Sequence, residues 1–281
     1  MDITRYLERR RAEVDKAIRK FLPPHGAGKP SGLHDAMRYA VLSGGKRVRP
    51  VLALAACEAV GGRARDVMPA ACAIEFIHSY SLVHDDLPCM DDDDERRGSP
   101  TCHRKFGEDT ALLAGDALLT LAFTTLASPT NGAALTTRAA ARRLEALRRV
   151  ADAAGVHGMV GGQAVDMAYQ GREPDLPTLE YINTHKSGAL IAVSAEVGAY
   201  LGGGTLSQVR AIHRYGRAVG LLFQIVDDIL DREGYAKLIG VPEARKEAQD
   251  LLAKAKKYVE PFGGKGRALA ALADFVFMRT Y

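Results

Sequence analysis

Apolar residues recur at three- and four-residue spacing along most of this chain, the signature of helices that bury one face. The clearest run is Leu206, Val209, Ile212, Val219, Leu222, Val226 and Leu230, which predicts one long helix from Leu206 to Asp231. Residues 2–21 place Tyr6, Val14, Ile18 and Phe21 roughly on one side and predict an amphipathic helix, broken by Pro23-Pro24 and the glycines up to Pro30. A short helix follows from about Leu33 to Leu42, and Pro50 opens an apolar helix to about Val60. Gly61-Gly62 separates it from a helix over about 66–87, which Pro88 kinks or ends. Residues 108–127 predict a nearly all-apolar helix buried on most sides, and Pro129-Thr130-Asn131-Gly132 a turn. Residues 133–154, rich in arginine, predict an outer helix with a wet face. Gly158, Gly161 and Gly162 invite close helix approach, and a helix over 178–201 is interrupted near Lys186-Ser187-Gly188. Helices over 242–259 and 266–279 finish the chain. No alternating strand of useful length, repeat or linker is visible. The expected fold is all-α: one large domain spanning 1–281, with roughly ten helices around a core.

Composition agrees. The 281 residues include no tryptophan and are 47% hydrophobic, with short β-branched runs, which favours helix over sheet. A net charge of +4 is mild, so nucleic acid is not an expected partner. The longest apolar segments contain Glu58 or Asp116, so no membrane span is expected. Cys57, Cys72, Cys89 and Cys102 form no CxxC pair and the N-terminus has no apolar signal core, so a reduced, cytoplasmic setting is expected.

The candidate chemistry is carboxylate-rich. The apolar run ending at Leu82-Val83-His84 leads into Asp85-Asp86, four further residues and Asp91, then Asp92, Asp93 and Asp94. On a helix, His78, Ser81 and Asp85 share one stripe. Far along the chain, Asp227-Asp228-Ile229-Leu230-Asp231 ends the long helix, with Asp227 and Asp231 one turn apart. Such crowding is poor structure alone and a good platform for Mg²⁺, which takes a few carboxylates plus phosphates and water. The spacing does not fit a calcium loop. The two clusters are expected to face each other across magnesium diphosphate. Asp92 to Asp94 fit a plain charged loop equally well. Cations suited to phosphate stand nearby in sequence: Lys46 and Arg49 in a glycine-rich loop, and Arg96-Arg97 after the first cluster.

Taken together, Gly44-Gly45-Lys46-Arg47-Val48-Arg49-Pro50, His78, Asp85-Asp86-x4-Asp91, Arg96-Arg97-Gly98, Lys186-Ser187-Gly188, Phe223-Gln224 and Asp227-Asp228-x2-Asp231 closely resemble the trans-isoprenyl diphosphate synthases, in order over nearly the whole chain. The match is most similar to bacterial-type farnesyl diphosphate synthases. The resemblance implies a homodimer of the all-helical isoprenoid synthase fold with a deep central cavity. It implies that Asp85, Asp86, Asp91, Asp227, Asp228 and Asp231 act through three Mg²⁺ on an allylic diphosphate, with Arg96, Lys186 and Gln224 touching the same group. Lys46, Arg49, His78 and Arg97 match the isopentenyl diphosphate pocket. The implied reaction is ionisation, condensation and elimination, with Lys186, Ser187 and Gln224 beside the allylic cation. Ser187 replaces the family's usual threonine and keeps the hydroxyl. Tyr80, five residues before Asp85, resembles the aromatic that limits the tail pocket in farnesyl (C15) producers, and a geranylgeranyl (C20) product is the alternative.

One departure stands out. After Asp231 the family pattern carries a lysine-bearing lid, whereas here Asp231-Arg232-Glu233-Gly234 runs at once into Tyr235-Ala236-Lys237. Either the loop is truly deleted or the sequence as given skips it; the second is favoured, because a true deletion should impair closure, and Lys237 is not assigned to the lid. A terpene cyclase needs no second diphosphate pocket, so Lys46, Arg49 and His78 argue against one. A non-catalytic subunit of a heteromeric synthase tends to lose an aspartate motif, and both are present.

Overall fold

The computed structural model describes residues 1–26, 28–128 and 136–280. The turn expected at 129–132 and the start of the helix expected at 133 lie outside the described residues. The chain is all-α: α1 (Ile3–Phe21), α2 (Ser31–Leu42), α3 (Val48–Ala59), α4 (Ala64–Asp85), α5 (Cys102–Phe106), α6 (Glu108–Ala127), α7 (Thr137–Ala154), α8 (Met159–Ala168), α9 (Leu176–Ile182), a π-helical turn (Asn183–Gly188), α10 (Ala189–Leu201), α11 (Leu206–Asp231), α12 (Gly234–Leu238), α13 (Val241–Val259) and α14 (Arg267–Phe277). The only strands among the described residues are two-residue pieces, Glu95–Arg96 against Ser99–Pro100.

The chain forms two compact units. The larger comprises Met1–Leu7, Leu52–Val67 and Leu135–Tyr281. Its centre is α11, packed on α10 and α13. The long apolar repeat explains this: Val209, Ile212, Val219, Leu222 and Val226 are all buried. Thr205 and Gln208 form a reciprocal capping box that starts α11 where the pattern predicts. Tyr215, fully buried, donates its hydroxyl to the Leu269 carbonyl at 2.7 Å and ties α11 to α14.

The smaller unit comprises Glu8–Val51 and Met68–Ala134. Here α6 packs on α2 and α5 and buries Ala111, Ala114, Leu118, Ala122 and Leu126. It is not buried on most sides as expected: Leu112 and Leu113 are 47% and 55% exposed. By length and composition α6 is apolar enough to cross a membrane, a test that core helices also pass.

Two boundaries and the burial of one side chain differ from expectation. Helix α3 begins at Val48, two residues before Pro50; first-turn amides have no intrahelical partner, so proline is tolerated there. Helix α4 ends at Asp85, because Pro88 disfavours helical geometry just before it. Arg143 on α7 is buried rather than on the wet face, with Asp66 as its nearest opposing charge.

Candidate active site

In the smaller unit α4 carries His78, Tyr80 and Asp85 to its C-terminal end. The loop beyond folds back, with the Asp91 amide donating to the Asp85 carbonyl at 2.9 Å. The strand pair then closes through Arg97 (φ 57) and Gly98 (φ 74). Two successive positive φ values are what a tight two-residue hairpin turn needs, and glycine takes one of them freely.

That hairpin separates the two arginines. Arg96 turns onto the first acidic cluster, its Nε donating to Asp86 Oδ1 at 2.6 Å and its Nη2 to Asp93 Oδ2 at 3.0 Å. Asp86 is buried, and burial pushes its pKa up while Arg96 opposes the shift. Arg104 pairs with Asp94 and, at 3.7 Å, with Asp92. Asp92 to Asp94 therefore brace the loop through Arg96 and Arg104. Asp91 is exposed.

Arg97 reaches the glycine loop, its Nη1 donating to the Gly44 carbonyl at 2.6 Å. Around it gather Arg49 and His78. Desolvation holds the His78 pKa well below 6.5, and the guanidinium charges of Arg49, Arg97, Arg47 and Arg96 add to the shift, so its ring is neutral. Burial pushes the Arg49 pKa down to about 10; Glu75 opposes that shift and Arg97 adds to it. Arg49 Nε is buried with no hydrogen-bond partner among the described residues, a donor an anion would satisfy. Lys46, on the same loop, is exposed. Tyr80 is buried edge-on to His84, ring centroids 5.7 Å apart, and His84 Nε2 lies 3.0 Å from the Leu112 carbonyl of α6. Burial, then Asp85, pushes the Tyr80 hydroxyl up to about 12.

In the larger unit the second cluster closes α11. Arg232 takes a left-handed conformation (φ 59), and the Tyr235 amide donates to Asp228 Oδ2 at 2.9 Å. Burial raises the Asp228 pKa, with that amide and Asn183 opposing. The join after Asp231 is thus a closed turn, and no lid-like loop stands there among the described residues. Asp227 pairs with Arg279 at 2.9 Å, and Arg279 also lies 4.9 Å from the Phe223 ring centroid. Asp231 is exposed, and Gln224 and Ser187 are half-buried. Lys186 lies on the π-helical turn and donates to Asp166 Oδ2 of α8 at 2.5 Å. Gly162 makes that approach possible, since a Cβ there would fall 2.2 Å from the Lys186 amide nitrogen.

Sequence reading missed Asp166 and Arg279. Asp166 carried a faint signal, its place three residues after Gln163 in the glycine-rich run, whereas Arg279 carried none. A separate cavity of about 570 Å³ in this unit, lined by Arg149, Asp152, Glu196, His213 and Arg217 among others, includes no aspartate of either cluster.

The donor set suits magnesium. Both clusters offer only carboxylate oxygens, and guanidiniums already stand at Asp86 and Asp227 where a cation would bind. Among the described residues no three histidine, cysteine or acidic side chains converge closely enough to hold an ion unaided.

Comparison with known proteins agrees with this geometry. The family model for polyprenyl synthetases matches residues 30–251. The chain belongs to the polyprenyl synthetase family. It is accordingly an isoprenyl diphosphate synthase, a transferase of prenyl groups, in a family that uses divalent metal to bind diphosphate. It is 43% identical to a chloroplastic geranylgeranyl pyrophosphate synthase of Capsicum annuum, over 98% of this synthase and 78% of the relative. It is 42% identical to a heterodimeric geranylgeranyl pyrophosphate synthase large subunit 1 of Arabidopsis thaliana, over 99% and 80%. These aligned stretches, 295 and 301 residues, exceed the 281 residues of this synthase, so each relative carries residues that it lacks. Among solved structures, an FPP/GFPP synthase from Zymomonas mobilis superposes with a TM-score of 0.90 at 36% identity, over 98% of this chain and 99% of that one.

Proposed function

We propose that this synthase, acting as one catalytic domain, condenses isopentenyl diphosphate head-to-tail with allylic diphosphates and elongates them to geranylgeranyl diphosphate. The observation that carries the reading is the pairing of two chemistries in one chain. One is carboxylate clusters suited to magnesium diphosphate. The other is a cationic group of Lys46, Arg49 and Arg97 around neutral His78.

Asp85, Asp86, Asp91, Asp227, Asp228 and Asp231 are the proposed ligands for three Mg²⁺. Bound magnesium supplies the charge that stabilises the departing allylic diphosphate. Arg96, Lys186 and Gln224 hold that diphosphate from the protein side. The Lys186 carbonyl, the Ser187 hydroxyl and the Gln224 amide carbonyl present oxygen dipoles to the allylic cation left behind. Neutral His78 donates an N–H to the isopentenyl diphosphate without adding charge. The isopentenyl double bond attacks the cation, a carbon–carbon bond forms, and the released diphosphate takes the proton that leaves.

The names of the relatives favour a C20 product. A C15 product is the second reading, favoured by Tyr80 buried before Asp85 and by the farnesyl activity named for the Zymomonas protein. The exposed Leu112 and Leu113 of α6 support assembly as a homodimer, which light scattering tests. Incubation of isopentenyl diphosphate and Mg²⁺ with dimethylallyl, geranyl or farnesyl diphosphate, with chain lengths resolved, tests the function. Elongation that accepts farnesyl diphosphate and ends at C20 is expected. An end at C15 supports the second reading, and no condensation with any primer sinks both.

A further inference from the structure

Arg47 sits inside the cationic loop yet does not share its exposure. Its side chain is 2% exposed, against the exposed Lys46 beside it. Each of its three nitrogens donates inward: Nε to Asp15 Oδ1 at 2.8 Å, Nη1 to Glu75 Oε1 at 2.8 Å, and Nη2 to the Val41 carbonyl at 2.6 Å. Those partners lie on α1, α4 and α2, so three helices of the smaller unit meet at one guanidinium. Glu75 is itself 3% exposed. A fork committed in this way is not a free phosphate ligand. Its backbone adds a second oddity. Arg47 has φ 51, a left-handed conformation that a bulky residue adopts only when its surroundings impose it. The loop is also pinched from outside, since a Cβ at Gly45 would fall 2.8 Å from Arg97 Nη1 and 3.2 Å from Arg47 Nη1.

We propose that the buried Arg47–Glu75 pair is a positioning device for the isopentenyl diphosphate pocket: it locks the loop conformation that presents Lys46 and Arg49, and Glu75 supplies the buried counter-charge that lets Arg49 and Arg97 stand together beside His78. The proposal rests on the reading of Lys46, Arg49, His78 and Arg97 as that pocket. Neither Arg47 nor Glu75 touches the substrate. Their effect is on where the flanking cations stand, so it belongs in the affinity for one of two substrates.

The test is a double variant, Arg47→Met with Glu75→Leu, which replaces the ion pair by apolar side chains of similar size, a change that protein folds often tolerate. Arg47→Lys accompanies it, keeping the charge and losing the fork. The expected result is a KM for isopentenyl diphosphate raised at least ~10-fold in the double variant, with the allylic KM within ~2-fold of wild type and a thermal midpoint near it. Arg47→Lys is expected to fall between wild type and the double variant. An unchanged isopentenyl KM in whichever variant folds overturns the proposal. So does an equal loss in both KM values and kcat, which is general damage. Lys46→Ala and Arg49→Ala separate the two readings. If they leave the isopentenyl KM unchanged, the pocket reading falls and this proposal with it. If they raise it while the Arg47 variants do not, this proposal alone falls.

Discussion

Lys186 donates to Asp166 at 2.5 Å, a contact between the π-helical turn and α8 that depends on a glycine one turn earlier in α8. Gly162 leaves no room for a side chain against the Lys186 backbone. Gly162→Ala is expected to destabilise the protein by about 1–3 kcal/mol through overpacking. Displacing Lys186 and Ser187 should also lower kcat at least ~10-fold, since small misplacements of positioning groups cost rate steeply. Steady-state kinetics and urea unfolding on one preparation check both effects. A stable variant with wild-type kcat would remove Lys186 and Ser187 from the chemistry.

Tyr80 is wedged against His84, which in turn rests on α6. Tyr80→Ala is expected to lengthen the product, because it removes the buried aromatic whose place resembles the one that limits the tail pocket in farnesyl producers. Chromatography of the dephosphorylated products reads chain length directly. A product distribution identical to wild type would show that Tyr80 is packing only.

The charge pairs of this protein should differ sharply in worth. Removing one partner of the buried Arg47–Glu75 pair, as in Glu75→Ala, is expected to cost about 3–5 kcal/mol, because a buried guanidinium loses the more deeply buried of its two carboxylate partners. Lys256 and Asp274 also pair, at 2.9 Å, but both side chains are nearly half exposed. Asp274→Ala is expected to cost at most ~1 kcal/mol. Urea midpoints that rank the two variants the other way would contradict the burial argument.

His78 makes stability depend on pH. Its folded-state pKa is depressed, so below the ordinary value of 6.5 the unfolded chain binds a proton that the folded chain refuses. Stability is therefore lost as pH falls below 6.5, by up to about 1.4 kcal/mol per pH unit for one group. The charges facing it, Arg49 and Arg97 first and then Arg47 and Arg96, all act in that direction, and Glu75 lies one turn earlier on α4. His78→Asn should flatten the dependence between pH 7 and pH 5 in urea titrations. A variant whose slope matches wild type would place the sensitivity elsewhere.

Much of the helix plan was legible because period and breaker agreed. The repeat from Leu206 to Leu230 fixes α11, and the interruption near Lys186 proves to be the π-helical turn. Short helices escaped: α5 and α12 have five residues each, too few to show a period. The aspartates, Arg96 and Lys186 were legible as residue types at motif spacing. Their partners were not, because Arg96 reaches back ten residues to Asp86 and Lys186 twenty to Asp166, which only the folded chain reveals. Arg47 receives no role of its own from the sequence, where it stands only inside the basic loop motif. Its burial depends on Asp15 and Glu75, whose proximity no local pattern announces.

The π-helical turn between α9 and α10 has one further consequence. A π turn holds one residue more than an α-helix needs over the same rise, and that surplus is taken up as a local bulge. Removing a single residue from Asn183–Gly188 would let α9 run into α10 as unbroken α-helix. Because the surplus residue is taken up in the bulge, α9 and α10 would keep their relative phase, and only the residues of the turn would be re-aimed. Lys186 would swing away from Asp166 while the apolar face of α10 kept its hold on α11. The protein thus carries Lys186, proposed above to hold the allylic diphosphate, on a bulged turn, and a deletion there would read as a local re-aiming rather than a loss of fold.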